Sequence, residues 1–129
     1  MRFVALLRGI NVGKSVQVNM KDLKNAFEKN GFENVTTYIN SGNILFDSIK
    51  DIALIADEVN NLLKIKYQQD IRTLILAREK VISIANAIPS DWMNDDKQKT
   101  DVAYLFEEIN NENILDNLPV KKEYMKLVY

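Results

Sequence analysis

The stretch Arg8-Gly9-Ile10-Asn11-Val12-Gly13-Lys14-Ser15 holds more chemistry than any other in this chain of 129 residues. It approaches the phosphate-binding P-loop, in which Gly, four residues and then Gly-Lys-Ser/Thr lead straight into a helix whose N-terminus meets the phosphates. Here only three residues separate Gly9 from Gly13, and Arg8 stands where the first Gly belongs. Val16, Gln17 and Val18 follow, β-formers rather than a first helical turn. The spacing rejects a nucleotide-hydrolysing loop. Two readings stand. Gly9 and Gly13 can take positive φ and present backbone N–H groups as a small anion nest, with Arg8 as a bidentate fork and Lys14 as a second charge. Alternatively the stretch is an ordinary turn with Arg8 paired to a carboxylate.

Ser41-Gly42-Asn43 carries a similar pair of readings. It is hairpin-turn chemistry, or its hydroxyl and amide complete a polar pocket facing Arg8 and Asn11. Tyr38 either packs in the core or brings its hydroxyl to that pocket. With 15 Asn in the chain, no single one is strong evidence of a site. The absence of His and Cys removes the commonest general base, thiolate chemistry and zinc fingers. Whether the chain is an enzyme stays open. A Ser–Lys pair would need Lys14 desolvated beside Ser15 or Ser41. A metal would need oxygen ligands from acidic clusters such as Asp95-Asp96, Asp101 and Glu107-Glu108, whose plainer reading is solvated surface. Asp101 abuts an apolar run and could pair with Arg8 or Lys99. Trp92 plugs a core edge or forms a stacking lid. No cofactor and no metal are expected.

Seventeen Lys+Arg against 18 Asp+Glu give a net charge of −1. The balance is even: residues 1–64 carry 8 basic and 7 acidic side chains, residues 65–129 carry 9 and 11. Apart from Lys121, Lys122 and Lys126 there is no basic stripe, which disfavours nucleic acid. The longest apolar runs, Phe3–Leu7 and Ile52–Ala56, cover five residues each, too short for a membrane span. A cytoplasmic location is the expectation.

The elements that position these residues follow from periodicity. Phe3–Leu7 reads as a central strand covered on both faces. A helix runs from about Met20 to Asn30, with Asn19 as N-cap, Gly31 as stop and a stripe of Met20, Leu23, Ala26 and Phe27. Residues 35–46 form a hairpin around Asn40–Asn43. Ser48 or Asp51 caps a second helix to Tyr67, with a stripe of Ile52, Ile55, Val59, Leu62, Leu63 and the stem of Lys66. Ile71–Ala77 is a fourth strand and Arg78–Ala87 a third helix ended by Ile88-Pro89. Val102–Phe106 reads as a fifth buried strand, followed by a short helix near Asn113–Leu118 and a strand at Tyr124–Tyr129.

This predicts one α+β domain over 1–129: a ferredoxin-like βαββαβ core at 1–77, then additional αβ elements at 78–129. In that topology the third strand inserts beside the first. Loop 9–19 and turn 40–43 then share one sheet edge, with residues 67–70 entering from the same side.

Leu6-Leu7-Arg8-Gly9-Ile10-Asn11-Val12-Gly13, Met20, Leu23, Gly31-Phe32, Val35, Thr37-Tyr38 and Ser41-Gly42-Asn43 together resemble the bacterial family catalogued as domain of unknown function 1697. The match is close over residues 1–47 and thin beyond residue 80. The resemblance implies an α+β fold of ferredoxin-like character and no established activity. Members usually carry a second Gly where Lys14 stands here. They are also longer, ending in a basic segment with Trp and Asn near a Thr, so this version is expected to be a truncated or partial domain whose exposed sheet needs a partner.

The leading expectation is a small anionic, phosphorylated ligand held by Arg8, Gly9, Asn11, Gly13, Lys14, Ser41, Gly42 and Asn43. Arg8 anchors charge, Gly9 and Gly13 donate, and Asn11, Ser41 and Asn43 orient. The alternative is a protein-interaction or homo-oligomerisation domain without a small-molecule site, because helices of a lone ferredoxin-like unit cover one sheet face. RNA binding through the sheet rests on fold analogy alone, and the charge balance opposes it.

Overall fold

Alternating burial along Arg2–Leu7 sets up the architecture: Phe3, Ala5 and Leu7 are buried while Arg2, Val4 and Leu6 are half-buried. The strand is therefore central, with one face in the core and the other half-buried. The computed structural model describes residues 1–129 except Val120, Lys122 and Tyr124. They form two compact units, Met1–Met93 and Asn94–Tyr129.

The first unit runs β1 (Arg2–Leu7), α1 (Met20–Lys29), β2 (Glu33–Tyr38), β3 (Asn43–Asp47), α2 (Ile52–Tyr67), β4 (Thr73–Ala77) and α3 (Arg78–Ala87). Its four-stranded sheet has the order β2-β3-β1-β4 with every neighbouring pair antiparallel. Helix α1 starts where the Asn19 side chain accepts from the Asp22 N–H at 3.1 Å and stops at Gly31, whose φ of +91° ends the turn. Asp51 holds the N-cap position of α2 without a side-chain cap bond, and Ser48 instead accepts from the Lys50 N–H. The α2 stripe narrows to Ile55, Val59 and Leu63, with Leu62 partly buried; Ile52 and Lys66 are exposed.

Between sheet and helices lies a core in which Phe46 packs against Phe3, Phe27 and Phe32 at centroid distances of 5.9, 5.4 and 4.7 Å. These separations suit offset or tilted ring pairs. Ile10 and Val18, from the connection between β1 and α1, are buried in the same core. That connection is thus anchored at both ends. Helix α3 follows β4 without a turn and packs back on β4 and β1.

The second unit departs from expectation. Val102–Phe106 is not a strand: Tyr104, Leu105 and Phe106 are half-buried and Val102 and Ala103 exposed, in irregular backbone before a 3-10 turn at Glu107–Ile109. A short apolar run specifies burial without specifying a ladder, and this one finds no partner strand among the described residues. The short helix is present as α4 (Ile114–Asn117). Of the expected C-terminal strand, Tyr124 lies outside the described residues, and Met125–Tyr129 are irregular and exposed. Lys122, from the terminal basic group, also lies outside them. Among the described residues no helix is long and apolar enough to cross a membrane.

Candidate functional site

Asn11 joins the two loops. Its Nδ2 donates to the carbonyls of Val18 and Asn40, both at 2.9 Å, and its Oδ1 accepts from the Val18 N–H at 2.7 Å. One carboxamide thereby closes the 9–18 loop on itself and ties it to the 39–42 turn. The Leu7 N–H adds a second tie, donating to the Gly42 carbonyl at 3.0 Å. The segments meet because β3 lies beside β1 in the register Leu6↔Asn43.

Gly42 is the closest point of that meeting. Its φ is +86°, and a Cβ there would lie 2.8 Å from Ile10 Cδ1 and 2.9 Å from Leu7 Cβ. Glycine is needed both for the backbone conformation and for the approach. Ile39, beside it, holds φ +50° although β-branched and is 61% exposed. A β-branched residue in that region is strained.

Above this junction the loop is open. Gly9 and Gly13 take φ of +70° and +54°, with nothing within 4 Å of an added Cβ. Their N–H groups make no hydrogen bond among the described residues, nor does the N–H of Lys14. The side chains of Arg8 and Lys14 are exposed and likewise form no hydrogen bond or ion pair among the described residues. The carboxylate partner that would make Arg8 ordinary is not there. Val12 and Ser15 close a tight turn between them, the Val12 N–H donating to Ser15 Oγ at 2.9 Å and the Ser15 N–H to the Val12 carbonyl at 3.0 Å. Helix α1 starts only at Met20, so no helix N-terminus addresses the loop.

The turn residues divide. Ser41 is exposed and its Oγ accepts from Asn43 Nδ2 at 3.0 Å. Asn43 is half-buried on the sheet face opposite α1 and α2, together with Leu6 and Tyr38, its cross-strand neighbours. Tyr38 is 65% exposed, not a core residue. Asn11, expected to orient a ligand, has both N–H donors committed to backbone and acts as a positioning residue.

Arg72 is the residue that sequence reasoning missed. The Arg8 N–H donates to the Arg72 carbonyl at 2.9 Å, continuing the β1–β4 register, so two arginines stand just beyond the ends of adjacent strands. The three stretches meeting at this end, 8–18, 38–43 and 71–73, contain Arg8, Lys14 and Arg72 and no Asp or Glu. Near-neutral composition hides that asymmetry. The other end of the sheet is compensated: Arg2 Nη1 donates to Asp47 Oδ1 at 3.2 Å, Asn34 Nδ2 donates to Asp47 Oδ2 at 2.8 Å, and Lys50 pairs with Glu58 at 2.7 Å. There the Asn34 amide and the Arg2 guanidinium hold the Asp47 carboxyl below its usual range. Residues 67–70 supply less than expected: Asp70 pairs with Lys64 at 3.5 Å, and the Tyr67 hydroxyl is buried with no hydrogen-bond partner among the described residues, its pKa pushed up by burial and by Asp22.

Other candidates gain no geometry. Asp101 is exposed and forms no ion pair among the described residues; Trp92 is half-buried in a turn closed on Pro89. Among the described residues no acidic group of three or more is placed to hold a metal.

These features define an α+β protein with a four-stranded antiparallel sheet and a rim at one end of it that contains Arg8, Lys14 and Arg72. The chain belongs to the family described as "Protein of unknown function (DUF1697)", whose model matches residues 1–128. It is similar to the solved structure of the conserved bacterial protein SP0830 from Streptococcus pneumoniae, with 34% sequence identity and a TM-score of 0.66. That likeness covers 73% of this chain and 52% of SP0830, so the matched part spans about half the length of that protein. No curated protein matches the chain.

Proposed function

We propose that the rim formed by loop 8–14 and turn 41–43 binds a small phosphorylated ligand. The observation that carries this reading is an exposed Arg8 that has no counter-charge among the described residues, on a loop that Asn11 and Gly42 hold in place. A fixed loop loses little freedom on binding, which favours affinity. Arg8 supplies a planar fork for two phosphate oxygens, Lys14 a point charge, and the N–H groups of Gly9 and Gly13 further donors. Ser41 and Asn43 contribute polar groups from the neighbouring turn. The strand order β2-β3-β1-β4 within a βαββαβ chain supports a ferredoxin-like unit over residues 1–77, with the rim at the C-terminal end of its first strand.

Thermal denaturation with a panel of phosphorylated metabolites tests the reading. A ligand at about 100 times its Kd adds about 2.7 kcal/mol of stability. Arg8→Ala abolishes that ligand-induced gain, while the apo protein stays within about 0.5 kcal/mol of the parent because the side chain is exposed. A panel in which no member raises Tm, or an Arg8→Ala variant that responds like the parent, refutes it.

A second reading, a protein-interaction surface, is favoured by the half-buried apolar row of Val4, Leu6, Leu45, Leu74 and Leu76 on the sheet face opposite α1 and α2. Sedimentation equilibrium would show a concentration-dependent mass if this row mediates self-association.

A further inference from the structure

The sheet face beside the cationic rim carries one aromatic side chain. By strand register the face opposite α1 and α2 presents Thr36 and Tyr38 from β2, Asn43, Leu45 and Asp47 from β3, Arg2, Val4 and Leu6 from β1, and Leu74 and Leu76 from β4. Tyr38 is the aromatic residue of this set and stands 65% exposed at the end nearest Arg8. A large aromatic surface costs free energy in water unless a partner covers it, and it sits here near Arg8, whose charge has no partner among the described residues. We infer that the phosphorylated ligand is a mononucleotide, its base stacked on Tyr38 and its phosphate on Arg8 and the Gly9–Lys14 loop. This rests on the phosphate-binding reading above and names the ligand class.

The spacing supports the assignment. Tyr38 pairs with Asn43, and Asn43 pairs with Leu6. Two interstrand gaps put Tyr38 and Leu6 about 10 Å apart, and Arg8 lies two residues further along β1, about 7 Å. A base on Tyr38, a ribose across the middle strand and the extended Arg8 side chain together cover that diagonal. The ribose would lie over Leu6 and Asn43. Asn43 spends one Nδ2–H on Ser41 and keeps its Oδ1 as an acceptor for a sugar hydroxyl.

The same register argues for one nucleotide rather than a strand of them. Sheet-based readers of single-stranded nucleic acid stack two or three bases on as many aromatics and track the backbone with a basic groove. This face offers one aromatic, and its far end carries the compensated Arg2–Asp47 pair.

Isothermal titration calorimetry on the whole chain separates the possibilities, with inorganic phosphate, ribose phosphate, adenosine monophosphate and a short single-stranded oligonucleotide as probes. Adenosine monophosphate is expected to bind at least about fivefold tighter than ribose phosphate, the lower bound for one base on an aromatic ring. Tyr38→Leu erases that preference, Tyr38→Phe keeps it, and neither changes affinity for inorganic phosphate. Equal affinity for the nucleotide and ribose phosphate, or an undiminished preference in Tyr38→Leu, overturns the nucleotide assignment and leaves the anion site standing. An oligonucleotide that binds more tightly per site than the mononucleotide also overturns it. Failure of all four probes overturns both the assignment and the anion site beneath it.

Discussion

Replacing Gly42 by Ala tests whether loop and turn form one unit, and its effect can be worked from geometry. The left-handed conformation, φ +86°, costs a residue with a Cβ about 1–2 kcal/mol. The new methyl also lies 2.8 Å from Ile10 Cδ1, which can swing aside, and 2.9 Å from Leu7 Cβ, which is fixed to the backbone of β1. Overpacking of that kind adds about 1–3 kcal/mol. The sum, about 2–5 kcal/mol, lowers Tm by at least about 6 °C for a chain of this size. Gly31→Ala is the control, because Gly31 has φ +91° and nothing within 4 Å of an added Cβ. It carries the conformational cost alone, so urea denaturation should find Gly42→Ala worse by at least about 1 kcal/mol. Adding Ile10→Val should cost less in the Gly42→Ala background than in the parent, since the shortened side chain withdraws the nearest clash. Equal losses at Gly31 and Gly42, with Ile10→Val strictly additive, would refute the close approach.

Two further substitutions probe opposite ends of the sheet. Asn11→Asp preserves shape but points a carboxylate oxygen at the Val18 and Asn40 carbonyls that Nδ2 now serves; about 1–3 kcal/mol should be lost, and a change below about 0.5 kcal/mol would contradict the staple. Asp47→Asn removes a carboxylate whose folded pKa lies below its usual 3.8, so the stabilisation is whole above that value and is lost as pH falls through the lower folded one. Denaturation profiles of parent and variant should differ near neutrality and converge in acid; a pH-independent difference would exclude the Arg2–Asn34–Asp47 interaction as its source.

Much of this arrangement was legible in the residues. The unbroken run at Phe3–Leu7, the Asn19 cap and Gly31 stop, and the turn residues between two β-rich stretches each carry a local physical signal. The observed elements follow them to within a residue or two at most boundaries. Element order then brings residues far apart in sequence to one edge. Val102–Phe106 shows where such reasoning fails, since apolar composition specifies burial and does not by itself specify pairing with another strand. At the rim the residue types were readable and their duties were not. Asn11 looks like a ligand group and serves as a staple, because only the fold places the Val18 and Asn40 carbonyls around it. The significance of Arg72 is positional: the β1–β4 register sets it beside Arg8. Ile39 in the left-handed region runs against propensity and has no signature in sequence at all.

The anion site itself is tested most directly by two-dimensional amide NMR spectra of the nitrogen-labelled chain titrated with inorganic phosphate. Saturable shifts should appear at the amides of Gly9, Gly13 and Lys14 and at the Arg8 side-chain N–H, while Arg2, Asn34 and Asp47 at the compensated end stay still. Shifts scattered over exposed lysines without saturation, or none at the rim, would contradict the account.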